Sequence, residues 1–202
     1  MRSFVRVVPG LLLAAGCGGS PPGGAVHSRA TYDPAALTAA AFAEYDRNNN
    51  GLLEGAELDA CPGLKAGLAG IDTNRDGKIS KAELQARFEA YAAANTASVS
   101  ATATVTLDGQ PLADATVQFV PEAFMGGAVQ EATGKTGPDG TVSAFTSGGK
   151  QYVGLQPGLY KVKVTREGGA ALPARYNTQT TLGAEVFGGR GAKPLVFALS
   201  GR

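Results

Sequence analysis

The chain has 202 residues, 29 of them glycine, with only 17% charged residues and a net charge of +1. That length suits one domain or two small ones, and the near-neutral balance excludes the basic surface of a nucleic-acid binder. Low charge with abundant glycine favours short turns and β-structure over long charged helices.

The first stretch reads MRSFVRVVPGLLLAAGCGGSPPGG. Arg2 and Arg6 precede an apolar run from Val7 to Ala15 that Pro9 and Gly10 interrupt. The run falls short of the ~20 apolar residues that cross a bilayer and has the anatomy of an export signal. It closes as Leu13-Ala14-Ala15-Gly16-Cys17, which resembles the lipobox of bacterial lipoproteins. Ala14 stands where that family has leucine, with Leu13 one step further out. The resemblance implies a signal peptide over residues 1–16 and lipidation of Cys17 as the mature N-terminus. It also implies membrane anchorage in the cell envelope, in the periplasm or at the cell surface. One acyl chain holds a protein only marginally, whereas the two or three chains of such lipoproteins hold it durably.

Residues 17–33, rich in Gly, Pro and Ser, lack the periodicity of a packed element and read as a flexible tether. His27, the only histidine, falls inside it and reads as solvated. Residues 34–94 read as helical. Asp33 and Pro34 suit a cap and a first turn. Leu37, Ala41 and Tyr45 share a face beside Phe42, and Leu84, Phe88 and Tyr91 share another.

Two acidic stretches interrupt this region, YDRNNNGLLEGAELDA and, 26 residues later, IDTNRDGKISKAELQA. Calcium takes six to eight oxygens, and a twelve-residue loop supplies them from positions 1, 3, 5, 7, 9 and 12. In the first loop these positions hold Asp46, Asn48, Asn50, Leu52 through its carbonyl, Glu54 and Glu57. In the second they hold Asp72, Asn74, Asp76, Lys78 through its carbonyl, Ser80 and Glu83. Gly51 and Gly77 occupy position 6, where the turn needs positive φ. A terminal Glu that offers both oxygens favours calcium over magnesium.

The region therefore resembles an EF-hand pair with two Ca2+ sites. In that family the apolar residue at position 8, here Leu53 and Ile79, joins the loops by a short β-bridge. Dockerin modules also pair calcium loops, but they usually close them with Asp, so Glu57 and Glu83 favour the EF hand. Only fourteen residues, 58–71, separate the loops, which leaves little room for helices to open. The first loop carries net charge −2 and the second zero, so the second is expected to bind more weakly. Cys61 reads as a buried, inert thiol on the outgoing helix.

Residues 95–98 read as a linker. From Val99 the period becomes alternating, with Val99, Ala101, Ala103, Val105 and Leu107 on one face. Turns are expected at Asp108-Gly109, at 138–140 and at Pro157-Gly158. Strands containing Val117 and Phe119, then Tyr160, Val162 and Val164, then PLVFALS complete the pattern. Residues 99–202 are thus expected to form an all-β sandwich. The segments VTLDGQPLADATVQFVP, TGPDGTVSAF and LQPGLYKVKV resemble the carboxypeptidase regulatory-like domains, which implies a transthyretin-like fold. The expected architecture is multidomain: a compact helical EF-hand pair followed by that sandwich.

No GxSxG, HExxH or second histidine is present, and Asp139, Glu167 and Glu185 read as scattered surface charge. The expectation is an exported, lipid-anchored, non-enzymatic calcium-binding protein whose ion is structural. The alternative is a cell-surface adhesion or glycan-binding protein with an extracellular partner and a calcium-stiffened stalk. Phe124, Tyr152 and Tyr176 would be its exposed aromatics.

Overall fold

The computed structural model describes residues 27–169, 171–188 and 194–201. Cys17 and the segment read as a signal peptide lie outside the described residues. The described chain is mixed α plus β, with its helices first and its main sheets after them.

Helix α1 spans Pro34–Tyr45. The Asp33 carboxylate accepts the Ala36 amide at 3.0 Å, and Pro34 fits a first turn that needs no amide donor. Leu37, Ala41, Phe42 and Tyr45 form its buried face. Strand β1 (Leu52–Leu53) and the four-residue helix α2 (Ala56–Asp59) follow. Helix α3 (Pro62–Ile71) begins at once, with Cys61 at its N-cap and Pro62 in its first turn. Cys61 is therefore buried as expected, but at the start of α3 rather than on the helix leaving the first loop. Strand β2 (Ile79–Ser80) leads into α4 (Lys81–Ala94), which opens with a Ser80–Glu83 capping box and ends at Asn95 in the left-handed region. Strands β1 and β2 pair antiparallel, Leu52 opposite Ser80 and Leu53 opposite Ile79.

Ten further strands build two sheets. They are β3 (Ala103–Leu107), β4 (Gln110–Pro111), β5 (Ala115–Pro121), β6 (Ala132–Lys135), β7 (Thr141–Val142), β8 (Ala144–Ser147), β9 (Lys150–Val153), β10 (Gly158–Arg166), β11 (Leu182–Val186) and β12 (Leu195–Leu199). One sheet runs β11-β10-β5-β6-β8-β9; the other runs β12-β3-β4, with β7 also on β3. Asp108 and Gly109 both take positive φ, the geometry of a tight hairpin turn between β3 and β4. The alternation expected of β5 and β10 holds on their inner faces, where Val117, Phe119, Tyr160, Val162 and Val164 are buried. Phe119 packs on Phe145, Tyr160 and, across the gap between the sheets, Phe197.

On the outer face of β10, Lys161 and Lys163 are half-buried and Thr165 is exposed, and α3 covers the start of the strand. Leu159 is buried there beside Gly67. Apolar residues of the helices and of the sheets consequently form one hydrophobic cluster. A glycine stripe permits this approach: a methyl at Gly63 would stand 3.0 Å from the Tyr160 nitrogen, and one at Gly67 would stand 3.1 Å from Leu159. On the sheet side, Gly183 faces the Pro62 carbonyl so closely that a methyl there would sit 1.8 Å from its oxygen.

The tether expected over residues 17–33 is docked where it is described. His27 is not solvated. It is 5% exposed, stacked on Tyr152 at 3.6 Å between ring centroids. Gln156 donates to the Ser28 carbonyl at 2.9 Å, and Tyr32 donates to the Pro157 carbonyl at 2.6 Å. Aromatic stacking and backbone bonding thus hold a segment whose Gly- and Pro-rich surroundings point to none.

Gly183→Ala should lower unfolding free energy by about 1–3 kcal/mol or more, the usual range for overpacking. Urea melts followed by far-UV and by near-UV signals should shift together, since helices and sheets share the clash.

Candidate metal centre

Each acidic loop is folded by its own carboxylates and amides, and the two do so alike. Asp46 accepts from the amides of Asn50 (3.1 Å) and Gly51 (3.0 Å). Asp72 accepts from those of Arg75 (2.6 Å), Asp76 (3.2 Å) and Gly77 (2.8 Å). Asn48 accepts from Asn50, and Asn74 from Asp76, each at 2.9 Å. Asn50 accepts from Leu52, and Asp76 from Lys78. Gly51 and Gly77 share φ +80, which a Cβ would strain.

The long acids at position 12 close both loops from the start of the next helix. Glu57, 7% exposed, accepts the Arg47 amide at 2.9 Å on one oxygen and the Glu54 amide at 3.2 Å on the other. Glu83 accepts the Thr73 amide at 3.0 Å on one oxygen and the Ser80 amide at 3.0 Å on the other. The Ser80 amide, with help from the Ser80 hydroxyl and the Asn74 and Thr73 amides, holds the Glu83 carboxyl down to about 2 although burial opposes this. A carboxylate so held is ionised throughout the neutral range.

Two expected ligands are otherwise engaged. Glu54 receives the Lys78 ammonium at 2.6 Å and the Asn50 side-chain amide at 2.9 Å. Lys78 first, and Asn50 after it, hold the Glu54 carboxyl below its ordinary value. The Ser80 hydroxyl donates to Glu83 at 2.7 Å and caps α4. Leu52 lies in the ladder that joins the loops, and Lys78 lies immediately before its other strand.

Among the described residues, no three His, Cys, Asp or Glu side chains gather as a metal cluster. The loops instead interleave carboxylates with Asn oxygens and backbone carbonyls. That all-oxygen set fits a hard cation of calcium's size and coordination number, and does not fit zinc's nitrogen- and sulfur-rich sites.

Other sequence candidates take structural places. Glu185 is not surface charge. Arg87 donates to it at 2.6 Å and so does the Tyr91 hydroxyl, tying α4 to β11. Asp139 accepts the Thr141 amide within its turn. Phe124, Tyr152 and Tyr176 are not exposed; all three are buried, with Phe124 against Tyr45 and Phe88. The Cys61 thiol is fully buried, and burial pushes its pKa far up, which leaves it protonated and inert.

Glu122 was invisible to sequence reasoning. Only 1% exposed, it accepts the Gly63 amide at 2.7 Å and the Lys161 ammonium at 3.2 Å, with the Tyr45 hydroxyl at 3.5 Å. Burial raises its pKa against the pull of those partners.

A family model described as EF hand matches residues 65–88, from within α3 through the second loop into α4. The chain thus carries an EF hand, a calcium-binding motif, at its second loop. No curated protein and no solved structure matches the chain.

Proposed function

We propose that both loops bind Ca2+ as an EF-hand pair, and that the ions stabilise an exported, lipid-anchored, non-enzymatic protein. The observation that carries this reading is the duplication. The first loop repeats the hydrogen-bond pattern of the loop inside the family match, down to a terminal Glu with both oxygens folded back. In the first loop Asp46, Asn48, Asn50, the Leu52 carbonyl and Glu57 would hold the ion. In the second, Asp72, Asn74, Asp76, the Lys78 carbonyl and Glu83 would do so, with Ser80 serving chiefly as a helix cap. A bound divalent cation offsets the mutual repulsion of the carboxylates crowded into each loop.

A structural rather than signalling ion is supported by the seat of α3. This helix joins the two loops and lies with its glycine stripe against β10 and β11. The reopening that exposes a groove in sensor proteins would have to pull it off the sheet. The two facing sheets support a transthyretin-like, carboxypeptidase regulatory-like assignment for residues 99–202. The non-enzymatic reading is supported by the engagement of Glu185, Asp139 and Cys61 in packing or turns. Export and anchorage rest on the lipobox-like sequence before Cys17.

Calorimetric titration with calcium chloride should give two ions per chain. Saturating calcium should raise the melting temperature, and Glu57→Gln combined with Glu83→Gln should abolish that rise. An undiminished rise in the double variant would place the ion elsewhere. For the anchor, Cys17→Ser should move the protein from the membrane to the soluble fraction of expressing cells, as followed by immunoblot.

A further inference from the structure

The ladder between the loops sets its cross-strand partners by register. Leu52 lies opposite Ser80 and Leu53 opposite Ile79. One step further along the same antiparallel register, Glu54 faces Lys78. Directly opposed side chains interact, and an opposite-charge pair is favourable. Lys78 and Glu54 meet at 2.6 Å, both partly exposed. The reciprocal pair, position 7 of the first loop with position 9 of the second, is Leu52 with Ser80 and carries no charge. The duplication of the loops is therefore broken at one place. Lys78 belongs to the second loop by its backbone and to the first by its side chain.

Both Glu54 oxygens are occupied as a result, one by Lys78 and the other by the Asn50 amide. The Asn50 bond uses its side-chain nitrogen and leaves its ligating oxygen out of the pair, so the only first-loop ligand the clamp takes up is Glu54. A divalent cation entering that loop must either release Glu54 from the ammonium or bind without it, beside a positive charge. Either course weakens binding. The loop-by-loop charge count credits Glu54 to the first loop and Lys78 to the second. The register instead places the two charges together, and counting Lys78 with the first loop leaves the two loops equal in net charge.

We propose that Lys78 is an affinity-setting residue of the first loop, lowering its calcium affinity by clamping Glu54 across the ladder. The inference rests on the calcium reading above. The second loop has no such clamp, since Leu52 faces Ser80.

The test is calorimetry with calcium chloride on the full chain, first wild type and then a Glu83→Gln background in which only the first loop titrates. Lys78→Met should tighten that site by about 1.5- to fivefold, the scale of an exposed ion pair. Lys78→Arg, which keeps the charge, should leave affinity near the parent value. High salt should shrink the Met effect, because exposed charges are screened. With Glu54→Gln also present, Lys78→Met should gain less than half as much. An unchanged affinity in Lys78→Met, or an equal gain with and without Glu54, would overturn the clamp while leaving calcium binding intact. Absence of uptake by the wild type at millimolar calcium would overturn the calcium reading and the clamp with it. Should Glu83→Gln disturb the pair, the same Lys78 variants titrated in the wild-type background and fitted as two sites decide the question.

Discussion

A single buried carboxylate organises the junction on which this molecule is built. Glu122 leaves the end of β5 and turns into the seam between helices and sheet, where it meets the Gly63 amide in the first turn of α3, the ammonium of Lys161 and the hydroxyl of Tyr45. A charge in such a place is tolerated only when its partners are fixed, and removing one partner of a buried pair typically costs about 3–5 kcal/mol. The arrangement therefore specifies where α3 must lie. The Glu185–Arg87–Tyr91 group does the same for α4 at β11, with Arg87 also lying over the Phe187 ring at 4.4 Å. These two acid-centred contacts, with the glycine stripe between them, orient the two acidic loops relative to the sheets.

That orientation bears on how ion binding is felt elsewhere. Tyr45 immediately precedes Asp46, and Cys61 and Gly63 follow shortly after Glu57, so the first loop is bracketed by residues at the Glu122 seam. The helices and sheets share one core, which is the packing expected of a unit that gains stability as a whole.

Local chemistry was legible in the sequence; long-range chemistry was not. The Asp33 cap, the Asp108-Gly109 turn and the inward face of β10 each follow from residues a few places apart, and each appears as read. The junction joins residues 59 to 98 apart in the chain, and no local pattern marks Glu122 or Glu185 as buried. One signal was present but used for less than it meant. Gly63, Gly67 and Gly70 recur at helical spacing, which marks a face for close packing, whereas Pro62-Gly63 alone reads as a helix breaker. His27 was misjudged for the opposite reason: its glycine- and proline-rich surroundings describe a chain without its own structure, not one that cannot be held by others. In the loops the spacing was readable and side-chain destination was not, because Glu54 is claimed by Lys78 of the other repeat.

The strap formed by residues 27–33 has a mechanical consequence. His27, Ser28 and Tyr32 are fastened to residues 152–157, on the β9–β10 connection, before the chain enters α1. Tension applied upstream of His27 is delivered to the sheet at those three fastenings and bypasses the first helix. The strap is in effect a strain relief: the two acidic loops lie behind it, and a tug on the leading segment must strip the strap before it reaches them.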